Sequence, residues 1–294
     1  MKSWRVLSVF FIIGFLLKMP VIADDTMKNE QFVASFSGAL QRCTLQRGKI
    51  STAENILNHD KWSYVYWPSY DKVKETIYFV AKSILDQGAN PNIYSISLLA
   101  SNQEPKKMID NARHPSLSPN NSLLAFYRHP NQLWIQSLVD MNAQKAVSDF
   151  ANYQPCVWVS NTHLLYIDLA NELVFLDASK NEKHKTGYNG IVPGALSPDG
   201  KKVLCGSSDG MKLYFYFLLS NELKLIKESK FRSMGTSFIW LPDGRGFLFT
   251  MQTWSNILRF NESSDLFLYM LSEKGETFLL GKIALFGGVF ISLK

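Results

Sequence analysis

The chain has 294 residues, a formal net charge of +6 and 46% hydrophobic residues. This length allows one large or two small domains. Three of the basic residues, Lys2, Arg5 and Lys18, lie before residue 24, where there is no acid, so the rest of the chain carries only +3. Lysine and arginine do not cluster elsewhere as a nucleic-acid surface requires, and we expect no nucleic-acid partner.

The first 23 residues have the layout of a secretory signal peptide. Lys2 and Arg5 precede an apolar run over 6–17, and Val21-Ile22-Ala23 offers tolerated residues at the cleavage positions. A membrane span needs about 20 residues, so the run is short for one, and an uncleaved anchor is the alternative. We expect residues 1–23 to be removed, no transmembrane segment after that, and a periplasmic or secreted protein.

Three cysteines remain: Cys43, Cys156 and Cys205. An odd number in an exported chain does not indicate a disulfide scaffold, and their spacing suits no zinc site. We expect three small, buried, apolar thiols. The sequence predicts no metal site and no cofactor.

A short turn motif recurs through the chain. An apolar residue followed by a tight turn appears four times, at intervals of 41, 38 and 44 residues. Proline, aspartate and asparagine favour such turns, and glycine supplies a positive φ. The four copies are Leu117-Ser118-Pro119-Asn120, Trp158-Val159-Ser160-Asn161, Leu196-Ser197-Pro198-Asp199-Gly200 and Trp240-Leu241-Pro242-Asp243-Gly244.

The same series of β-prone segments follows each turn: a short run, a second turn, an alternating strand and a more polar outer strand. The short runs are 123–127, 164–168, 202–205 and 246–250, and the alternating strands are 132–138, 172–177, 211–218 and 265–271. An earlier, divergent copy begins at 62–67 and has Trp67-Pro68-Ser69-Tyr70-Asp71 in place of the turn. Four short strands in about 40 residues are the signature of a β-propeller blade.

We therefore predict an all-β protein, a β-propeller with five recognisable four-stranded blades. A two-sheet sandwich is the alternative, but it gives no reason for a turn at near-constant intervals. One helix is predicted around Ser51–Asn58, because Ser51 and Glu54 have the spacing of a capping box.

Two pieces of chain lie outside the five blades, Gln31–Ile50 and Ile283–Leu293, and both contain β-compatible runs. A ring that leaves its ends unpaired exposes sheet edges. We therefore predict six blades in total, the sixth shared by the two termini, with residues 24–58 supplying strands for ring closure and 59–294 forming the propeller. A closed five-bladed ring with loose ends and a truncated C-terminus are the alternatives.

The repeat resembles the WD40-like repeat of TolB-type periplasmic propellers. The resemblance covers about residues 60–281 and is clearest at Leu196–Leu218, where the turn is followed by Leu213-Tyr214-Phe215-Tyr216, and at Trp240–Thr250. It implies a propeller scaffold with a protein or cell-envelope partner. TolB proteins carry a sizeable α/β domain before the propeller, whereas only about 35 residues separate the predicted signal peptide from the first blade here. The resemblance therefore does not imply that this protein docks on a partner through such an α/β domain.

Gly206-Ser207-Ser208-Asp209-Gly210 matches the G-x-S-x-G pattern of a hydrolase nucleophile elbow. That elbow requires a helix after the serine. Here the residues at 211–217 are aromatic and β-prone, and Asp209-Gly210 favours a hairpin turn. We predict a hairpin with no catalytic role for Ser208.

Other chemistry-bearing residues give no catalytic pattern. No two of the five histidines have metalloprotease spacing, and His114 is expected to be structural. Asp168 and Asp177 have no carboxylate partner that the sequence identifies. The sequence predicts no catalytic residue.

The predicted strand order separates two faces of the disc. Turns between first and second strands, including the S-P-D-G turns, lie on one face, here called the S-P-D-G face. Turns between second and third strands and the loops between blades lie on the opposite face, which also carries the longer segments 83–90 and 253–264. Arginine and aromatic residues in long loops are typical of binding hot spots, and we predict a binding site there formed by Arg113, Tyr188, Arg232, Trp254, Arg259 and Phe260. A solvated, variable rim is the alternative.

Three functions are compatible with these features. The one that fits best is an exported, non-enzymatic propeller that binds a protein, peptide or cell-envelope ligand. A propeller hydrolase or lyase acting on polysaccharide is the main alternative. A regulatory propeller of the kind found beside serine-peptidase domains is the third, although no peptidase sequence follows the repeats.

Overall fold

The computed structural model of the protein describes residues 30–36, 39–46, 49–57, 59–85, 90–99, 103–150, 155–228, 232–253, 264–271, 277–284 and 290–292. Within these ranges the secondary structure is nearly all β, with 24 strands and a single turn of 3-10 helix at His59–Lys61. The predicted all-β class is therefore confirmed. The predicted signal peptide lies outside these residues. In the ranges given above, no helix is long and apolar enough to cross a bilayer.

Five sheets are each built from four consecutive antiparallel strands, as predicted. We number the blades in chain order, starting with the shared blade as blade 1. Blade 2 contains β4 (Trp62–Asp71), β5 (Thr76–Ser83), β6 (Asn92–Ser97) and β7 (Lys106–Ile109), and blade 3 contains β8 (Ala112–Leu117), β9 (Leu123–Arg128), β10 (Gln132–Ser137) and β11 (Ala143–Val147). Blade 4 contains β12 (Val157–Trp158), β13 (His163–Ile167), β14 (Glu172–Asp177) and β15 (Glu182–Asn189). Blade 5 contains β16 (Ile191–Leu196), β17 (Lys202–Ser207), β18 (Lys212–Phe217) and β19 (Glu222–Glu228), and blade 6 contains β20 (Arg232–Trp240), β21 (Gly246–Thr253), β22 (Ser264–Leu271) and β23 (Thr277–Ala284).

Blade 1 joins the two ends of the chain. Its strand order is β24-β1-β2-β3, with β1 at Glu30–Phe36, β2 at Ala39–Gln46, β3 at Lys49–Leu57 and β24 at Phe290–Ser292. β24 pairs antiparallel with β1, so that Ile291 lies opposite Val33. The prediction of a blade shared by both termini is confirmed.

The helix predicted around Ser51–Asn58 is wrong. Residues 51–57 belong to β3, which pairs with β2 and places Ala53 opposite Cys43. A capping-box spacing is only a local preference, whereas strand pairing satisfies the backbone groups of both β2 and β3.

The innermost strands form a closed ring. β24, β4, β8, β12, β16 and β20 each contact the next, and β20 contacts β24 again. The six four-stranded sheets are therefore arranged around one axis, and the propeller fold is confirmed.

The hydrophobic core lies between the blades. Each buried cluster takes side chains from two neighbouring blades; one of them combines Tyr127 of blade 3 with Tyr166 of blade 4, and both rings pack on Phe150. A single blade cannot bury both its faces, and this is why the repeat must recur. The three cysteines are buried free thiols, as predicted. Burial raises the pKa of Cys43 to about 11 and that of Cys156 to about 12.

The turn serines organise the turns of the repeat. Ser197 Oγ donates to Asp199 at 2.6 Å and accepts the N–H of Lys202 at 3.1 Å. Ser118 makes the same two bonds, to Asn120 and from Leu123. The positive φ of this turn falls on Gly200 in the first case and on Asn121 in the second. Turn chemistry and turn position therefore agree with the sequence prediction in these two blades.

The divergent turn of blade 2 lies later than predicted. Residues 67–71 belong to β4, and the turn follows at 72–75, where Asp71 accepts the N–H groups of Val73 and Lys74 at 3.0 Å each. Pro68 has no N–H to donate to the sheet. It lies in a β-bulge between Tyr66 and Ser69, and the strand continues beyond it.

A repeated hydrogen bond places the turns between third and fourth strands on the S-P-D-G face. In four blades the residue after the third strand donates its N–H to the turn between first and second strands. The pairs are Leu98 to Glu75 at 2.7 Å, Leu138 to Ser122 at 2.8 Å, Ala178 to Thr162 at 2.8 Å and Leu218 to Lys201 at 3.0 Å. On the opposite face, Ser208 N bonds Gly190 O and Leu169 N bonds Asp149 O.

Candidate functional site: a cavity on the propeller axis

A cavity of about 350 Å³ lies among the innermost strands of blades 2 to 6. Its wall comes from the halves of those strands that lead into the S-P-D-G turns. The lining includes Trp67, His114, Pro155, Cys156, Trp158, Gly194 and Phe238. The cavity therefore lies at the centre of the ring, where no sequence-based site was predicted.

The inner strands are irregular where they meet the cavity. β4 and β8 have bulges that contain Pro68 and Pro115, β16 has a bulge at Gly194, directly after Pro193, and β20 has a register shift before Phe238. Proline cannot donate to a ladder and is found at bulges or edges of sheets. The bulges take these segments out of regular pairing and turn them towards the axis.

His114 is the most unusual residue of the wall. Its side chain is 3% exposed, and neither ring nitrogen has a hydrogen-bond partner among the residues that the structure describes. The ring packs against the indole of Trp67, with 3.7 Å between ring centroids and an angle of 33° between the ring planes. Both residues have positive φ, 52° for His114 and 49° for Trp67, a strained conformation for bulky residues. Strain and unpaired polar atoms together are typical of functional sites.

The electrostatics of the cavity keep His114 neutral. Burial and, as the smaller cause, the positive charge of Arg113 lower the pKa of His114 to about 3. A neutral imidazole has one donor nitrogen and one acceptor nitrogen. His114 is therefore a residue of the cavity wall with one donor and one acceptor nitrogen, both buried and without a partner among the described residues.

Two tryptophans hold the wall together across blade boundaries. Trp158 Nε1 donates to the carbonyl oxygen of Ser116 at 2.9 Å, and Trp240 Nε1 donates to that of Ala195 at 3.0 Å. Both side chains are buried, so each tryptophan also packs in the core.

Gly194 is required by the close approach of two inner strands. A Cβ at this position would lie 1.8 Å from the ring of Phe238. Only glycine leaves room for that ring, which lines the cavity beside it.

The structure describes three of the six binding residues predicted from the sequence, and all three lie in strands. Arg113 lies in β8, next to His114, and Tyr188 and Arg232 lie in β15 and β20 rather than in loops. Tyr188 packs its ring against Tyr216 and donates its hydroxyl to the carbonyl of Asn221 at 2.9 Å, which ties blade 4 to blade 5. Trp254, Arg259 and Phe260 lie outside the described residues.

The G-x-S-x-G segment is a hairpin, as predicted. β17 ends at Ser207 and β18 begins at Lys212, with Gly206 opposite Leu213. Gly210 has φ of 70°, and its N–H bonds the carbonyl of Ser207 at 2.9 Å. The chain continues as a strand after Ser208, so the strand-turn-helix of a nucleophile elbow is not formed.

The carboxylates considered from the sequence serve the main chain. Asp168 accepts the N–H of Glu172 at 2.9 Å, and Asp177 accepts the N–H and hydroxyl of Ser179. The Ser179 hydroxyl is the largest cause that lowers the pKa of Asp177. Across the described ranges, no group of three or more metal-binding side chains comes together.

Comparison with known proteins gives similarity at the level of structure. No protein-family model and no curated protein matches the chain. TolB from Acinetobacter baumannii is similar with a TM-score of 0.67 and 14% identity, over 90% of this chain and 66% of that one. A putative TolB from Agrobacterium tumefaciens is similar with a TM-score of 0.58 and 14% identity, over 89% and 91%.

The fold is a TolB-like β-propeller. The same architecture also occurs in an oligogalacturonate lyase in complex with manganese, with a TM-score of 0.54 and 12% identity over 87% of this chain and 72% of that one. The chain spans about two thirds of the Acinetobacter TolB. At these identities the comparison establishes the fold alone, because one fold carries many functions.

Proposed function

We propose that the protein is an exported, non-enzymatic binding propeller that takes a segment of a protein, peptide or cell-envelope ligand into the axial cavity. The observation that carries this proposal is His114, a residue of the cavity wall whose two buried ring nitrogens lack partners in the described part of the chain. A buried polar group without a partner costs about 1–3 kcal/mol, and a ligand that supplies the partner recovers that free energy.

The chemistry of the wall favours a neutral polar group with an apolar flank. An amide offers one donor and one acceptor, which matches the neutral imidazole of His114. Trp67, Trp158 and Pro155 add flat apolar surface around it. A volume of about 350 Å³ is at the lower end for ligand pockets, which suits a short peptide segment better than a large ligand.

A second part of the proposed contact lies on the opposite face. Arg113, Tyr188, Arg232, Trp254, Arg259 and Phe260 are proposed to bind the body of the partner, as the sequence predicts. Its test is a pull-down from cell-envelope extract with the double variant Trp254→Ala and Arg259→Ala. Loss of the partner in this variant, with the fold retained, supports the contribution of this face.

The cavity is tested by the pair His114→Phe and His184→Phe in the same pull-down. His114→Phe keeps an aromatic ring on Trp67 and removes both nitrogens, whereas His184 is exposed on β15 and serves as the control. We expect His114→Phe to weaken partner binding by about ten- to a hundredfold, and His184→Phe to have no effect. Circular dichroism verifies the fold of both variants. Equal binding by both variants would remove the cavity from the proposal.

Export is tested separately. The layout of residues 1–23 supports cleavage before Asp24. N-terminal sequencing of the protein from the periplasmic or culture fraction is expected to begin at Asp24. Recovery in the cytoplasmic fraction with Met1 retained would contradict export.

The second candidate function is a polysaccharide hydrolase or lyase. It is favoured by the similarity to oligogalacturonate lyases, with TM-scores of 0.54 and 0.52. Incubation with polygalacturonate and with envelope polysaccharides, with and without manganese, tests it. A lyase would generate an unsaturated product that absorbs in the ultraviolet, and its loss in His114→Phe would place the reaction in the axial cavity.

A further inference from the structure

Exposed aliphatic side chains occupy the same position in three blades. Each lies in the turn between third and fourth strands. It directly follows the leucine whose N–H makes the repeated bond described above. They are Leu99 in blade 2, Val139 in blade 3 and Leu219 in blade 5, and the residues are 72%, 84% and 95% exposed. The N–H bonds of Leu98, Leu138 and Leu218 hold these turns in place. The three side chains are therefore exposed in turns of fixed conformation.

Leu99, Val139 and Leu219, here called the aliphatic tips, all lie on the S-P-D-G face. Val73 adds another exposed aliphatic residue in the adjacent turn of blade 2, and Met141 adds one in the turn of Val139. Blade 4 has exposed Ser179 in the equivalent position. Since consecutive blades follow one another around the axis, tips on blades 2, 3 and 5 are spread along the rim. They are therefore separate apolar points on one face of the disc and do not form one continuous apolar patch.

Lysines stand beside the tips. Lys72 and Lys74 flank Val73, and Lys201 lies in the turn that bonds Leu218. Lys180 is in the turn between the third and fourth strands of blade 4, and all four are exposed.

Several carboxylates of this face are already bound. Asp71 accepts two backbone N–H groups, and Asp199 is bonded to Ser197 and to the N–H of Lys201. Asp243 pairs with Arg245 at 2.8 Å. Lys180 is also paired, with Asp177 at 3.8 Å. The ammonium groups of Lys72, Lys74 and Lys201 form no ion pair in the described part of the chain and are available to anionic groups outside the protein.

We propose that the S-P-D-G face docks on an anionic lipid surface. The aliphatic tips enter the boundary between headgroups and acyl chains, and the lysines meet lipid phosphates. A bilayer is apolar at every point below its headgroups, so it receives separated tips at the same time. A protein partner would need a separate apolar socket for each tip. This inference does not depend on His114 or on the cavity.

The first experiment measures insertion at single positions. Leu219→Cys and, as a matched control on the opposite face, Leu169→Cys are each labelled with an environment-sensitive fluorophore; the three native cysteines are buried. Vesicles of phosphatidylethanolamine with about 30% phosphatidylglycerol are added. We expect a blue shift, and quenching by a nitroxide-labelled lipid, for the label at 219 and none at 169. Equal signals at both positions, or no signal at 219, would overturn the proposal.

The second experiment measures vesicle partitioning of multiple variants. Leu99→Ser, Val139→Ser and Leu219→Ser combined are expected to lower the partition coefficient at least tenfold, whereas Leu85→Ser with Leu169→Ser on the opposite face leaves it unchanged. Lys72→Gln, Lys74→Gln and Lys201→Gln combined are expected to abolish its dependence on phosphatidylglycerol content. His114→Phe is expected to partition like the wild type, which keeps this test separate from that of the cavity. If the triple serine variant instead loses a protein partner while the wild type never binds vesicles, the face is a protein-docking surface and the lipid proposal is wrong.

Discussion

The indole nitrogen of Trp158 donates a hydrogen bond of 2.9 Å to the carbonyl oxygen of Ser116, across the boundary between blades 3 and 4. Trp240 and Ala195 repeat this bond between blades 5 and 6. In both pairs the acceptor lies at the end of a bulge in an inner strand, beside the axial cavity. The tryptophan of one blade therefore satisfies a carbonyl next to the place where the preceding blade departs from regular pairing.

Replacement of Trp158 tests this link. Trp158→Phe retains most of the buried ring but leaves the Ser116 carbonyl without its donor. We expect the free energy of unfolding to fall by about 1–3 kcal/mol, measured by urea denaturation. Trp134→Phe is the control, because the indole of Trp134 bonds Gln132 within its own strand and is only half-buried. An equal loss in both variants would mean that the effect comes from ring size and not from the link between blades.

Deletion of the last strand tests ring closure. Removal of residues 290–294 takes β24 from its pairing with β1 and from its contacts with β20 and β4. We expect a loss of several kcal/mol, comparable to the whole stability of about 5–15 kcal/mol of a domain, seen as a large fall in the melting temperature. Deletion of residues 293–294 alone, which spares β24, is expected to leave the melting temperature nearly unchanged. If the deletion of residues 290–294 left the melting temperature as high as that of the full chain, closure through β24 would be contradicted.

The neutral state of His114 predicts a pH dependence of stability. The pKa of about 3 in the folded protein lies below the ordinary value of 6.5, so the unfolded chain binds a proton that the folded protein does not. The free energy of unfolding is therefore highest above pH 6.5 and decreases as the pH falls from 6.5 towards 3. A shift of this size corresponds to a few kcal/mol over the whole range.

The measurement is urea denaturation at pH 7, 6 and 5 for the wild type and His114→Phe. Most carboxylates stay ionised over this interval, so the difference in slope between the two proteins reports on His114. We expect a flatter profile for the variant. Parallel profiles would show that the imidazole is not held neutral in the folded protein.

The hairpin at 206–213 predicts that Ser208 is not a nucleophile. A fluorophosphonate probe is expected to leave the protein unlabelled, and Ser208→Ala is expected to retain the fold and all binding. Gly210→Ala, at a position with positive φ, is expected to cost about 1 kcal/mol or more because alanine is strained there. Labelling that disappears in Ser208→Ala would restore the hydrolase interpretation.

Local chemistry was sufficient to predict much of the architecture. Serine with asparagine or aspartate fixes the turns at 117–120 and 196–200, since Ser118 bonds Asn120 and Ser197 bonds Asp199. Alternating and aromatic residues fix the strands that follow, and Asp209-Gly210 fixes the hairpin. The recurrence of these signals at about 40 residues then predicted blades, because a repeated half-buried unit requires neighbours of its own kind.

Long-range pairing decided the rest. Residues 51–57 carry a helix-capping pattern, but their pairing with β2 made them a strand. The site depended still more on the assembled ring: Trp67, His114, Trp158 and Phe238 come from four different blades and meet only when the inner strands close around the axis. The sequence by itself determined the turns, the strands and the blade repeat, because those depend on residues a few positions apart. Only the tertiary structure decided which side chains share the cavity and which carry unpaired polar atoms there, because burial and partners depend on residues brought together from more than 40 positions apart.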